Sequence, residues 1–304
     1  MKEHKQFLYL VISLLSLILF AIIATSFGLD ILKSLDEIIS IGLLGFLLLT
    51  LITLVETIAK IFRFRYALSK EYNVKQLAPS YLVSIFLSFL VPSRFAGEAA
   101  RPLAFRSNPK ISAGECLSAV SIERIFDVIF LPFFLFGAIS SLFNPFIPAL
   151  LVFGLALFLV LATTEVFILI ASRIPQKTLS SFLADYFTSL RAILRDRKRF
   201  ALISLFTLLT WLCAFLRLWL ILQLVASPLS FLEVTSASAV AYLFSVLSVL
   251  PGGGVFFEGG GVIALTFFGV PPENALSAIL LERFFAYWIF IIAGLAIAPH
   301  IGKE

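Results

Sequence analysis

Two stretches of this chain repeat one another, and both carry charge where the surrounding sequence carries almost none. Residues 92–132 read PSRFAGEAARPLAFRSNPKISAGECLSAVSIERIFDVIFLP, and residues 251–290 read PGGGVFFEGGGVIALTFFGVPPENALSAILLERFFAYWIF. Pro92 and Pro251, Leu117 and Leu276, and Arg124 and Arg283 are each 159 residues apart. LSAVSIERIF and LSAILLERFF share six residues in ten. Only the acid between them slips, Glu98 and Glu258 being 160 apart. A repeat that retains prolines, glycines and charges describes one structural unit used twice. The fold must therefore house two copies of one half.

The surroundings decide where those copies sit. Of 304 residues 61% are hydrophobic and 13% charged, whereas a soluble domain is nearer half apolar and a quarter charged. This is the composition of an integral membrane protein. A soluble catalytic domain has no room, because the longest polar stretch covers only residues 173–199. The net charge of +5 does not indicate nucleic acid, since the basic residues sit in short loops between apolar runs, where they set membrane orientation. Cys116 and Cys213 fall in apolar runs without metal-ligand spacing and read as small buried side chains. His4 and His300 lie at opposite ends. No metal or cofactor is expected.

In chain order, residues 7–27 form a first apolar span, too long for a signal-peptide core. Residues 38–61 form a second, followed by Arg63, Arg65, Lys70 and Lys75 in a basic loop. Residues 79–91 are apolar but too short to cross, and stop at Pro92. A helix over 112–140 follows, and residues 146–172 and 201–225 span again. Residues 231–250 lead into the second glycine-rich segment, and a last helix covers 275–299. Between spans, residues 176–200 place apolar side chains at three- and four-residue steps and gather Arg191, Arg195, Arg197, Lys198 and Arg199 at the C-terminal end. That pattern fits a helix lying in the interface of an anionic leaflet, or equally one packed under a helical bundle. It predicts a cytoplasmic amphipathic linker over 173–199.

Loop charge turns the repeat into a topology. The N-terminus, the loop after the second span, residues 173–199 and the tail are basic; the connections at 28–37, 140–146, 225–230 and 270–275 carry almost no basic residues. One orientation satisfies all eight, with both termini cytoplasmic in a cell membrane, if 79–110 and 231–274 each enter the membrane and return. The expected fold is thus all-α and polytopic, a single membrane domain over 1–304. It has about six full spans plus two re-entrant broken-helix hairpins, related as inverted copies at about 38–140 and 200–299. In this reading Gly252–Gly254 and Gly259–Gly261 leave amides open and permit tight turns. Charges at membrane depth must be paired or solvated. Arg124 and Asp127, three apart on a helix, are expected to pair, so that Arg124→Ala would leave Asp127 alone. Ala286 stands where Asp127 would repeat, leaving Arg283 to Glu258, or to Glu98 across a pseudo-twofold axis. Glu123–Arg124 and Glu282–Arg283 are read either as site residues or as structural locks. Glu56, Glu165 and Arg217 are expected to snorkel to the interface.

PSRFAGEAAR at 92–101, ERIFD at 123–127, PGGGVFFE at 251–258 and RFFAYW at 283–288 resemble the transmembrane region of lysylphosphatidylglycerol synthases, whose wider family is described as flippase-like. The resemblance covers nearly the whole chain. It implies a bundle with two re-entrant hairpins that moves polar lipids between leaflets. Synthase activity is not implied, because the soluble aminoacyl-transferring domain of the synthases has no counterpart in these residues. Ala96 and Val255 stand where many relatives have glycine. The function expected is a lipid flippase with a midplane cavity between the hairpins. Its substrate site would comprise Arg94, Glu98, Arg101, Glu123, Arg124, Asp127, Gly253, Gly254, Glu258, Glu282, Arg283 and Tyr287. The arginines would neutralise a phosphate, and the ligand would be an anionic phospholipid or a polyprenyl-phosphate-linked lipid. Two other readings stay open. One is an enzyme acting on a lipid phosphate through Glu98 or Glu258. The other is an accessory subunit that docks a lipid synthase or glycosyltransferase through residues 176–200.

Overall fold

The computed structural model describes residues 41–90, 98, 101–105, 111–139, 177–225, 227–246 and 256–297. Among these there are eight α-helices and one 3-10 segment: α1 (Gly42–Ala67), α2 (Val74–Leu90), the 3-10 segment (Arg101–Phe105), α3 (Ala113–Ile139), α4 (Lys177–Arg195), α5 (Arg197–Leu224), α6 (Phe231–Val246), α7 (Phe256–Phe267) and α8 (Pro272–Ile297). The all-helical expectation holds over the described residues. The expected spans at 7–27 and 146–172, and Glu165 within the latter, lie outside them.

Three of these helices are long and apolar enough to cross a membrane: α1, α5, and α8 over Pro272–Gly294. At 1.5 Å per residue, the 26 residues of α1 reach about 39 Å, more than the ~30 Å of a hydrocarbon core. Its Leu43, Leu47, Leu51, Leu54 and Ile58 are exposed and recur at helical spacing, as do Leu205, Leu208, Leu212 and Leu216 on α5. Stripes of bare leucine are costly in water and satisfied by acyl chains. By contrast, the apolar pieces Val74–Leu87, Phe231–Ser245 and Phe256–Phe267 are too short to cross alone.

Local chemistry places the ends of these elements. The Asn73 side chain accepts the Lys75 amide at 3.0 Å, which starts α2 five residues before the expected boundary at 79 and carries Pro79 into the helix. Ser230 and Glu233 cap α6 reciprocally, Ser230 accepting the Glu233 amide and Glu233 accepting the Ser230 amide. Gly269, at φ 89°, closes α7 while the Val270 amide reaches back to the Leu265 carbonyl at 3.1 Å, a Schellman arrangement that L side chains disfavour.

Asp196 separates α4 from α5. Its Oδ1 accepts the amides of Lys198 and Arg199 at 3.0 and 3.1 Å, so the helix expected over 176–200 is two helices. Arg197, Lys198 and Arg199 open α5 rather than close α4. Arg199 turns away to donate to the carbonyls of Leu68 and Ser69, both at 2.6 Å, beyond the C-terminal end of α1. The helix α4 packs on α3, burying Leu190 and Ile193, and the Tyr186 hydroxyl donates to Ser121 Oγ at 2.7 Å.

The chain forms two compact units, one built mainly on Cys213–Ile292 with the first half of α1, the other on Val55–Ile85 and Arg101–Leu212. In the first, Leu218, Ile221 and Leu222 of α5 pack with Val234 of α6, Leu265 of α7 and Ile279 of α8. Gly259, Gly260 and Gly261 are helical here, within α7, and not in a turn. A Cβ on Gly261 would lie 2.6 Å from Ile279 Cδ1, and one on Gly260 would lie 2.7 Å from Phe244 Cγ. These two glycines let α7 approach α6 and α8. In the second unit Phe64 stacks on Phe105 and lies tilted against Tyr81, with centroids 5.4 and 5.2 Å away.

Candidate functional site

Each unit buries a set of charges, and each set is built on a glutamate of the repeated LSA-ER segment. In the second unit that residue is Glu123 on α3, fully buried. Its Oε1 accepts Arg63 Nε at 3.2 Å from α1, and its Oε2 accepts Arg101 Nη1 at 2.8 Å from the 3-10 segment. Arg63 extends further, donating Nη1 to Asp127 Oδ1 at 2.7 Å, and Asp127 Oδ2 meets Arg124 Nη1 at 2.8 Å. The result is a chain of alternating charge: Arg101, Glu123, Arg63, Asp127, Arg124. Arg63, Arg101 and Asp127 are 3, 4 and 5% exposed, so water screens little of it. The Arg101 guanidinium also lies 5.8 Å from the Tyr81 ring centroid, within cation–π range.

In the first unit the glutamate is Glu282 on α8. Arg217 of α5, 1% exposed, grips it bidentately, Nε to Oε2 at 2.8 Å and Nη2 to Oε1 at 2.5 Å. Arg217 Nη1 also approaches Thr53 Oγ1 at 3.5 Å. Arg283 turns the other way, to Glu258 Oε1 of α7 at 2.8 Å, and donates to the Tyr287 hydroxyl. Its guanidinium lies 4.3 Å from the Phe257 centroid and 5.0 Å from that of Tyr287.

Several expectations are met residue by residue. Arg124 pairs with Asp127, and Arg283 takes Glu258. Others are corrected. Arg217 does not snorkel: it is buried on Glu282. Glu56 is buried too, 2.6 Å from Lys60 one turn on. Asp127 has Arg63 as well as Arg124, so removing Arg124 does not leave it alone. Glu98 is partly buried; Arg94, Gly253 and Gly254 lie outside the described residues.

Sequence reasoning missed the two arginines that hold the glutamates. The sequence places Arg63 in a basic loop, but α1 continues to Ala67 and carries it inside. A signal existed: Arg217 is the lone charge in the run from 201 to 225. Arg63 and Arg217 are 154 residues apart rather than 159, which hid their equivalence. A second pairing keeps the full spacing. Glu115, at the start of α3, accepts Ser69 Oγ at 2.6 Å and the Tyr72 hydroxyl at 2.9 Å. Asn274, 159 residues later near the start of α8, donates to Ser227 Oγ at 2.6 Å and the Val225 carbonyl at 3.3 Å. Each fastens the connection after its unit's long helix. Burial and the bond to Glu115 push the Tyr72 phenol above its ordinary range. Among the described residues, no group of three or more His, Cys, Asp or Glu is placed to hold a metal ion.

The comparisons with known proteins agree with the motifs. UPF0104 membrane proteins of Methanothermobacter thermautotrophicus match in two alignments. One is 23% identical over 129 residues, covering 42% of this chain and 38% of the relative; the other is 26% identical over 238 residues, 70% of each. A UPF0104 membrane protein of Methanocaldococcus jannaschii is 25% identical over 260 residues, 76% of each chain. In the first of these alignments the chain thus covers well under two thirds of the relative's length. No solved structure matches the chain. Residues 6–294 match the family described as "Lysylphosphatidylglycerol synthase TM region", and the chain belongs to that family of membrane proteins.

Proposed function

We propose that this chain moves a polar, anionic lipid between leaflets, and that Arg101 receives its phosphate. The observation that carries the reading is the way Glu123 divides itself. Glu282 spends both oxygens on one guanidinium, whereas Glu123 gives one oxygen to Arg63 and the other to Arg101. Arg63 is fixed by a long helix and by Asp127. Arg101 stands on a five-residue 3-10 segment, a short element that can shift with little loss of backbone bonding. A lipid phosphate would compete with Glu123 Oε2 for Arg101, and Glu123 would keep Arg63 throughout. A guanidinium suits this exchange because it stays charged and matches two phosphate oxygens at once. The family's name supports a place in lipid chemistry, and the exposed leucine stripes support contact with acyl chains. In this reading the repeat copies at about 38–140 and 200–299 are inverted, and both termini are cytoplasmic. The ligand is an anionic phospholipid or a polyprenyl-phosphate-linked lipid.

The test is leaflet reorientation of a fluorescent phosphatidylglycerol, and separately of a polyprenyl phosphate, in proteoliposomes holding the chain alone. The chain is expected to accelerate one of them. Arg101→Ala and Arg101→Lys should slow it by about tenfold or more, the scale of one charge-assisted contact, and Arg101→Lys, which leaves buried Glu123 a cation, should do so while still folded. No acceleration by the unmodified chain, or full rate in Arg101→Ala, would overturn the reading.

A further inference from the structure

Arg101 is held by a ring as well as by a carboxylate, and a phosphate competes with the carboxylate alone. The guanidinium carbon lies 5.8 Å from the ring centroid of Tyr81 on α2, and Tyr81 is 1% exposed. Other aromatic side chains fix that ring. Phe64 of α1, fully buried, lies tilted against it at 5.2 Å and stacks on Phe105 at 5.4 Å. Phe105 ends the same 3-10 segment that Arg101 begins. A row of side chains, Arg101, Tyr81, Phe64 and Phe105, therefore grips the segment at both ends and ties it to α1 and α2. These holds on Arg101 differ in kind. Glu123 Oε2 takes an N–H of the guanidinium at 2.8 Å, the kind of bond that a phosphate oxygen also makes. An aromatic face attracts a cation through its quadrupole and takes up no N–H. A phosphate can displace Glu123 from Arg101 while Tyr81 stays.

We infer that Tyr81 is a positioning residue for the exchange at Arg101, its ring keeping the guanidinium in place after Glu123 Oε2 is released and before the lipid phosphate is bound. The inference rests on the phosphate-binding role proposed for Arg101 above and adds what steadies that residue during the exchange. Before the step the guanidinium has the Glu123 carboxylate as counter-ion, and after it the phosphate. Between the two, the ring face is the stabilising surface, and its pull on a cation is strongest when no anion offsets the charge. Tyr81 therefore lowers the barrier to exchange and leaves the two end states nearly level. The effect belongs to the ring and not to the hydroxyl. It also follows the electron density of the ring face, which a side chain that merely filled the volume would not show.

The experiment is stopped-flow binding of a dye-labelled short-chain phosphatidylglycerol, and separately of a dye-labelled short polyprenyl phosphate, to the full chain in neutral detergent. The unmodified chain is expected to bind one of them. Tyr81→Phe should keep its association and dissociation rates within about twofold, because the ring remains. Phenylalanine carrying one, two or three ring fluorines at the same position keeps the shape and drains the face of electrons. Along that series both rates should fall together, by about fivefold at three fluorines, with Kd held within about twofold. Rates that stay level across the series would overturn the inference, as would a loss of affinity at unchanged association rate, which describes a static contact. Tyr81→Phe as slow as the trifluorinated ring would assign the effect to the hydroxyl and remove the ring from the step. An unmodified chain that binds neither probe would sink the Arg101 reading and this inference together. Ring-dependent rates without lipid reorientation in proteoliposomes would remove translocation alone and leave the role of Tyr81 standing.

Discussion

Arg63 is the residue on which the second unit's charges depend. It touches both buried carboxylates, Glu123 and Asp127. Removing it takes one guanidinium from each of two buried carboxylates, leaving Glu123 to Arg101 and Asp127 to Arg124, and breaking a buried pair costs on the order of 3–5 kcal/mol. Arg63→Ala should therefore be poorly folded, with a sharply lowered unfolding temperature in detergent. Arg124→Ala should be milder, because Arg124 is 28% exposed and Asp127 retains Arg63. If the two variants melt together, the shared-arginine account is wrong. Arg217 holds the matching place on Glu282, but with both carboxylate oxygens on one guanidinium. The two glutamates are thus equivalent in sequence and unequal in wiring. That inequality is what separates a lock from a candidate site.

At the scale of elements, the glycines of α7 divide by what surrounds them. Gly261 has Ile279, a fully buried side chain, where its Cβ would go, whereas Gly259 has nothing within 4 Å. Gly261→Ala must push α8 away and should lose about 1–3 kcal/mol, the range for overpacking a core. Gly259→Ala should gain up to about 1 kcal/mol, since glycine inside a helix is the poorer former. Opposite shifts in unfolding temperature are expected, and a loss for Gly259→Ala would mean that its open face is filled in the membrane. The sequence had read these glycines as turn formers. The run Phe256–Phe267 is helical because apolar residues surround the glycines, and their missing side chains serve helix contact instead.

For the whole molecule, loop charge and the repeated segment bear on how the chain lies in its membrane. Single cysteines at positions 108, 177 and 273, labelled from outside in intact cells, report sidedness. Position 273 should label, and 108 and 177 should not until the membrane is permeabilised. Rapid labelling at 108 or 177 would contradict both the cytoplasmic termini and the inverted repeat. Membrane character, the order of the described helices, and half of the charged residues that they bury (Arg101, Glu123, Asp127 and Glu282) were legible in the sequence. They follow from local quantities: apolar run length, capping residues, and the rarity of charge in grease. The partners of those charges were not. Arg63 and Arg217 break the 159-residue register, and whether α1 ends before or after Arg63 depends on what α2 and α3 offer it. Pairing across elements is set by helix rotation and approach, to which Glu123 and Arg124, adjacent in the chain and on different partners, are equally blind in one dimension. The sequence by itself determined that charge must be buried and that it occurs twice; only the tertiary structure decided which arginine each carboxylate holds, because a charge in low dielectric accepts whichever partner packing brings within about 3 Å.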